Sequence, residues 1–166
     1  MFYGYKYRLE APLGNAGREH DDFLSVGEAD FVVVHPELGY AVFEVKQGNI
    51  IYADGQWHEF KPVLGGAHRT RPMAKDPVEQ AQRAMWAILE RYKDKSGEGR
   101  FPLHIRYAVC FPETKKLAGE LPDHIDPKSI FVYDDLQKLD ARIRSLFPKD
   151  TIPQPFGDGF SYSQSA

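Results

Sequence analysis

The chain has 166 residues, with 42% apolar and 27% charged side chains and a formal net charge of −3. That length suits one domain with a real core, and the balance is that of a globular protein. It offers no global positive field for nucleic acid, so any such binding needs a local patch. No apolar run approaches the roughly 18 residues that span a bilayer, and the N-terminus, MFYGYKYRLE, lacks the continuous apolar stretch of a signal peptide. We therefore expect no membrane contact. A single cysteine, Cys110, excludes an internal disulfide and a cysteine-based zinc site and fits a reducing cytoplasm, where we place the protein.

Residues 2–9 alternate and are rich in aromatics, which predicts an edge strand. Residues 11–26 are polar and read as a loop. Strands are then predicted at 29–35 and 40–47, joined by a turn at 36–39. Both faces of these strands are apolar: Phe31 and Val33 oppose Val32 and Val34, and Ala41 and Phe43 oppose Tyr40 and Val42. Such strands belong at the centre of a sheet covered on both sides. A second hairpin, 49–52 and 56–61, surrounds Asp54-Gly55, a strong turn signal. Residues 61–75 hold two lysines, two arginines and one histidine and no acid, and read as a basic loop.

A helix is predicted over 76–92. Asp76 can cap it, Pro77 suits its first position, and Glu79 fits a capping box. Its apolar stripe is Val78, Ala81, Met85, Ile88 and Tyr92. Trp57 and Trp86 are expected to pack inside. A strand follows at 103–111, with Cys110 in the core, then a long loop with a helical turn, a short strand at 130–133, and a second helix at 134–147 capped by Asp134. Residues 148–166, rich in Pro, Gly and Ser, read as a tail or linker beyond a domain of residues 1–147. The order of elements implies an α/β domain, a mixed sheet flanked by helices.

Three charges interrupt the apolar hairpin. Asp30 opens its first strand, and Glu44 and Lys46 close its second, so all fall at one end of the sheet. A three-residue loop, 36–38, would set Asp30 opposite Glu44 and Glu28 opposite Lys46. A four-residue loop would put Asp30 on the wrong face unless a bulge corrects it. We expect the first register or a bulge. Two adjacent carboxylates repel unless a cation intervenes. A hard divalent ion such as Mg²⁺ needs one or two carboxylates plus waters, and a lysine beside it offers positive charge to a phosphate oxygen or attacking water. The plainer reading is that Glu44 and Lys46 end a strand at the solvent. Acid–x–lysine matches recur by chance.

Arg69, Arg71 and Lys75 precede a helix N-terminus and read as phosphate-tracking residues or as an ordinary solvated loop. The six histidines show no paired metal-ligand spacing, and His35 is expected to border the turn. The sequence contains neither a Gly-x-Ser-x-Gly elbow nor a glycine-rich phosphate loop.

The longer string is more specific. GEADFVVVHPELGYAVFEVKQGNI, then DGQW, then DPVEQAQRA resemble the NERD (nuclease-related) domain of the PD-(D/E)xK nuclease superfamily, over about residues 27–92. IFVYDDLQKL also fits the family's layout. The resemblance implies a restriction-endonuclease-like fold and an Mg²⁺- or Mn²⁺-dependent nuclease acting on DNA. By it, Asp30 and Glu44 hold the metal with the Val45 carbonyl, Lys46 is the catalytic lysine, and Gln80 assists at the rim. Ala29-Asp30 stands where the superfamily has Pro-Asp, which NERD proteins tolerate. The family's N-terminal helix with a further acid is expected to be absent, with Glu10, Glu19 or Glu28 as substitutes, and its loss would expose one sheet face or favour a homodimer. Relatives often carry a helicase or kinase domain after this module, so the tail reads as a linker remnant and a helicase or other DNA-processing protein as a partner. Two other readings stand beside this one: a non-cleaving nucleic-acid-binding or assembly module, and a phosphohydrolase for small substrates.

Overall fold

The computed structural model describes residues 2–9, 25–35, 38–62, 68–97 and 103–148. Five strands form the main sheet in the order β1 (Phe2–Leu9), β2 (Ser25–His35), β3 (Gly39–Val45), β7 (His104–Phe111) and β8 (Ile130–Val132). β1, β2 and β3 run antiparallel, whereas β3, β7 and β8 run parallel. β1 is an edge, as its alternation implies, and β3 is central. A second antiparallel sheet, β4 (Asn49–Ala53), β5 (Gln56–Pro62) and β6 (His68–Pro72), forms an arm. The molecule is a mixed α/β sheet flanked by helices, compatible with the restriction-endonuclease-like fold.

The central hairpin follows the three-residue register. His35 pairs with Gly39 and Phe31 with Phe43. Gly39 adopts φ +122°, and a Cβ there would lie 1.9 Å from the His104 carbonyl oxygen, so only glycine fits this close approach to β7. His35 borders the turn and its Nδ1 accepts the Leu38 N–H at 3.2 Å.

Helix α1 (Pro77–Ser96) covers one face. Asp76 caps it, accepting the Val78 and Glu79 N–H groups at 2.7 and 3.1 Å. Glu79 meets the Arg83 guanidinium at 3.3 Å; we find it in this pairing and not in the capping box expected of it. The buried stripe is Val78, Ala81, Ala84 and Ala87, with Met85 and Ile88 half-buried. It is shifted from the expected one because the alanines let the helix nest closely on Ala29, Val32 and Val42. Trp86 is turned off this stripe and is 56% exposed, contrary to expectation, while Trp57 is buried against Tyr52 and Phe111.

The opposite face packs Phe31, Val33, Phe43 and Val45 against Phe131, Leu136 and Ile143. The long helix expected over 134–147 is instead a 3-10 helix, Tyr133–Lys138, followed by a short α2 (Leu139–Arg144). Asp135, not Asp134, organises its start. Asp135 accepts the Val132 N–H at 2.9 Å and holds Arg142 at 3.0 Å, and Arg142 also stacks on Phe131. The basic run over 61–75 is not wholly loop, since β6 lies within it. Both its faces are polar, so nothing in its pattern announces a strand; backbone pairing to β5 makes it one. Cys110 is buried, and desolvation raises its thiol pKa to about 11. Among the described residues no helix is long and apolar enough to cross a membrane. Glu10, Glu19, most of the predicted loop over 11–26, and residues 149–166 of the predicted tail lie outside the described residues.

Candidate functional site

The site begins where β2 and β3 part. Their ladder ends at Phe31–Phe43, while β2 continues back to Ser25 paired only with β1. Continuing the register would set Asp30 opposite Glu44 and Val45 opposite Ala29. Instead the Asp30 carboxylate accepts the Val45 N–H, at 2.7 Å, in place of a strand partner. Val45 thus meets the site through its backbone, and its side chain belongs to the far apolar face. Glu28 does not pair with Lys46 as the extended register suggested. It lies beyond the parting point, is exposed, and stands opposite Lys6 on β1.

Period-two alternation places Glu44 on the Val42 face, which α1 covers, and Lys46 follows on the same side. Ala29 and Val32 both pack on α1, so the alternation of β2 breaks between them, and Asp30 turns toward the β3 edge. Glu44 is buried, at 4% exposure. Burial raises its pKa above the usual carboxylate value and the Asp30 charge raises it further; the Lys46 hydrogen bond and the Lys46 and Lys75 charges act in opposition. Lys46 follows directly after β3, a quarter exposed, with Nζ 2.5 Å from Glu44 Oε1. Its backbone N–H donates to the Cys110 carbonyl at 2.9 Å, an anchor to β7.

One residue that sequence reasoning missed fixes the next turn. Buried Thr114 accepts the Ile50 N–H at 2.8 Å and donates to the Gly48 carbonyl at 3.2 Å, clamping the backbone after Lys46. Its partners lie more than sixty residues away in sequence, and no local pattern points to it.

Beside these charges lies a cavity of about 500 Å³ between the β4–β6 arm and the start of α1. Lys46, Arg71, Lys75 and Gln80 line it, with Gln47 and Glu59. Gln80 sits in the first turn of α1, and its Oε1 is buried with no hydrogen-bond partner. Arg69 stands two residues before Arg71 on β6, exposed and outside the lining. The fold thus brings Asp30, Glu44, Lys46, Lys75, Arg71 and Gln80 to one region; Gln47, Ile50, Glu59 and Met73 in the cavity wall were not foreseen. Among the described residues no three His, Cys, Asp or Glu side chains cluster as a ready metal cage.

A family model for the nuclease-related domain, NERD, matches residues 8–112, well over half of the chain. The chain belongs to the NERD family. No curated protein and no solved structure matches it significantly. The NERD match contains every site residue named above except Thr114, and it makes the domain nuclease-related in function. It stops before β8 and α2, so the layout likeness seen in IFVYDDLQKL lies beyond it.

Proposed function

We propose that this NERD domain is a metal-dependent nuclease that hydrolyses DNA phosphodiester bonds. The observation that carries the reading is the meeting of two carboxylates, Asp30 and Glu44, with Lys46 at the parted strand end, beside a cavity walled by Arg71, Lys75 and Gln80. Asp30 Oδ2 is engaged by Val45, and its other oxygen has no protein partner among the described residues. Burial raises the Glu44 pKa, and the Lys46 and Lys75 charges oppose that rise, as a bound cation would. That donor set suits a hard cation with oxygen ligands and several waters, not a nitrogen- or sulfur-bound zinc.

Asp30 and Glu44 would hold Mg²⁺ or Mn²⁺, with the Val45 carbonyl as a third oxygen. The ion would supply Lewis acidity toward a phosphate oxygen and a water. Lys46 orients the attacking water and steadies charge developing on the phosphate. Gln80 Oε1, lacking a donor, accepts a hydrogen from that water or from the substrate. Lys75 and Arg71 bind phosphates on either side of the scissile one, and Arg69 extends the track along β6. A helicase or other DNA-processing protein, or a second copy of the chain, would extend the footprint of so small a domain.

Incubating the protein with supercoiled plasmid and with single-stranded DNA, in Mg²⁺, Mn²⁺ or EDTA, tests the reading against a Lys46→Ala variant. Cleavage that needs metal and is lost in the variant is expected. A folded wild-type protein that binds DNA and never cuts it would instead be a non-cleaving module.

A further inference from the structure

The cavity walls carry more chemistry than phosphate binding needs. Three cations line it, Lys46, Arg71 and Lys75, against one carboxylate, Glu59. Ile50, Pro72, Met73 and Ala74 add apolar wall, and Gln47 and Gln80 add two side-chain amides. At about 500 Å³ the cavity falls within the range of small-ligand pockets. It is far too small for a duplex, whose stacked bases could not reach the apolar wall.

We infer that this cavity receives one unpaired nucleotide, so that the strand offered to Lys46 is single-stranded DNA or a frayed end and not intact duplex. The inference deepens the nuclease reading and rests on it. A nucleotide matches the lining part by part. Its phosphate meets Lys46, Arg71 and Lys75, of which Lys46 and Lys75 also act on Glu44. Its base lies against Met73 and Pro72, because every base has an apolar face that stacks or packs without regard to sequence. Its Watson–Crick edge, free only when unpaired, meets the amides. Gln80 Oε1 is buried without a donor, and each of the four bases has an N–H on that edge to give it. A paired base has already spent that N–H on its complement and leaves the oxygen unsatisfied.

Arg69 and Arg71 share one face of β6, a strand rising about 3.3 Å per residue, and offer phosphate contacts beside the cavity that a single strand or a duplex can use alike.

The test measures binding by fluorescence anisotropy in Ca²⁺. The probes are a labelled single strand and a duplex of the same sequence closed by covalent caps at both ends. Wild-type protein should bind the single strand about tenfold or more tightly than the closed duplex. Ala74→Trp, at an exposed position in the apolar wall, should erase that preference by filling the cavity. Arg69→Ala should weaken both probes alike. Should Ala74→Trp fail to fold, Met73→Ala takes its place and should cut the preference several-fold. Equal affinity of the wild type for both probes, or a preference that survives in a folded Ala74→Trp, overturns the inference. Adding Mg²⁺ to the same complexes separates the two readings. Single-strand preference without cleavage removes the nuclease and leaves the nucleotide pocket; equal binding and cutting of both probes does the reverse. Binding to neither probe overturns both.

Discussion

Asp30 has two duties that a pair of substitutions can separate. Its carboxylate accepts the Val45 N–H at 2.7 Å where a strand partner is lacking, and it is proposed to bind the metal. Asp30→Ala removes the acceptor and strands a half-buried N–H, and a charge-assisted bond of this kind contributes about 1.5–3 kcal/mol. For a chain of this size that is a fall in melting temperature of about 3–12 °C. Asp30→Asn keeps a carbonyl oxygen for Val45 and also removes the charge that disfavours ionised Glu44. It should melt within about 1 kcal/mol of wild type. Both variants should lose metal-dependent cleavage. The melts belong in EDTA, so that bound metal does not contribute to the difference. An alanine variant that melts like wild type would show that Asp30 does not close the strand end. An asparagine variant that cuts DNA at the wild-type rate would remove Asp30 from the metal site.

Glu44 has its pKa raised chiefly by burial, so the folded protein binds a proton there more tightly than the unfolded chain. Without metal, stability should therefore fall as pH rises from the ordinary value of 4.5 through the raised folded value; Glu44→Gln should remove that slope in thermal melts from pH 4 to 8 and melt higher at neutral pH. Gly39→Ala would drive a Cβ into the His104 carbonyl at φ +122°, and should cost about 3 kcal/mol or more in urea unfolding. Arg71→Ala should reduce the slope of log affinity against log salt by about 0.7 on single-stranded DNA, the share of one phosphate contact. Cys110, buried with its pKa raised to about 11, should resist thiol reagents in the native protein at pH 8 and react fully in denaturant.

The hairpin that carries the site is legible because its strands are apolar on both faces and its turn is short, which brings Asp30, Glu44 and Lys46 to one sheet end; the break in alternation that turns Asp30 onto the Val45 N–H is not legible. The start of α1 is legible for a local reason too, the Asp76-Pro77 cap, which then carries Gln80 to the cavity. What the sequence hides depends on contacts between distant segments. β6 has no apolar face, so only its pairing with β5 reveals it. The short 3-10 and α2 segment depends on Asp135 reaching Arg142 seven residues on, which helical periodicity does not encode. The cavity exists because the arm and α1 meet, and Thr114 clamps its edge across more than sixty residues. Lys75 reads as one more basic residue until the fold sets its charge near Glu44.

A sheet built for stability alone would not bury Glu44 with Asp30 close by. Here the conflict is contained by giving each charge a structural partner. Asp30 stands in for the missing ladder bond, Lys46 neutralises Glu44, and β7 pins the Lys46 backbone. These restraints hold the three groups in place before any ligand arrives, which is what electrostatic preorganisation requires. They also set a constraint on binding. Lys46 engages Glu44 through Oε1 alone, so a cation proposed to bind Glu44 would meet the other oxygen with the ammonium in place, or would have to displace the ammonium from Oε1.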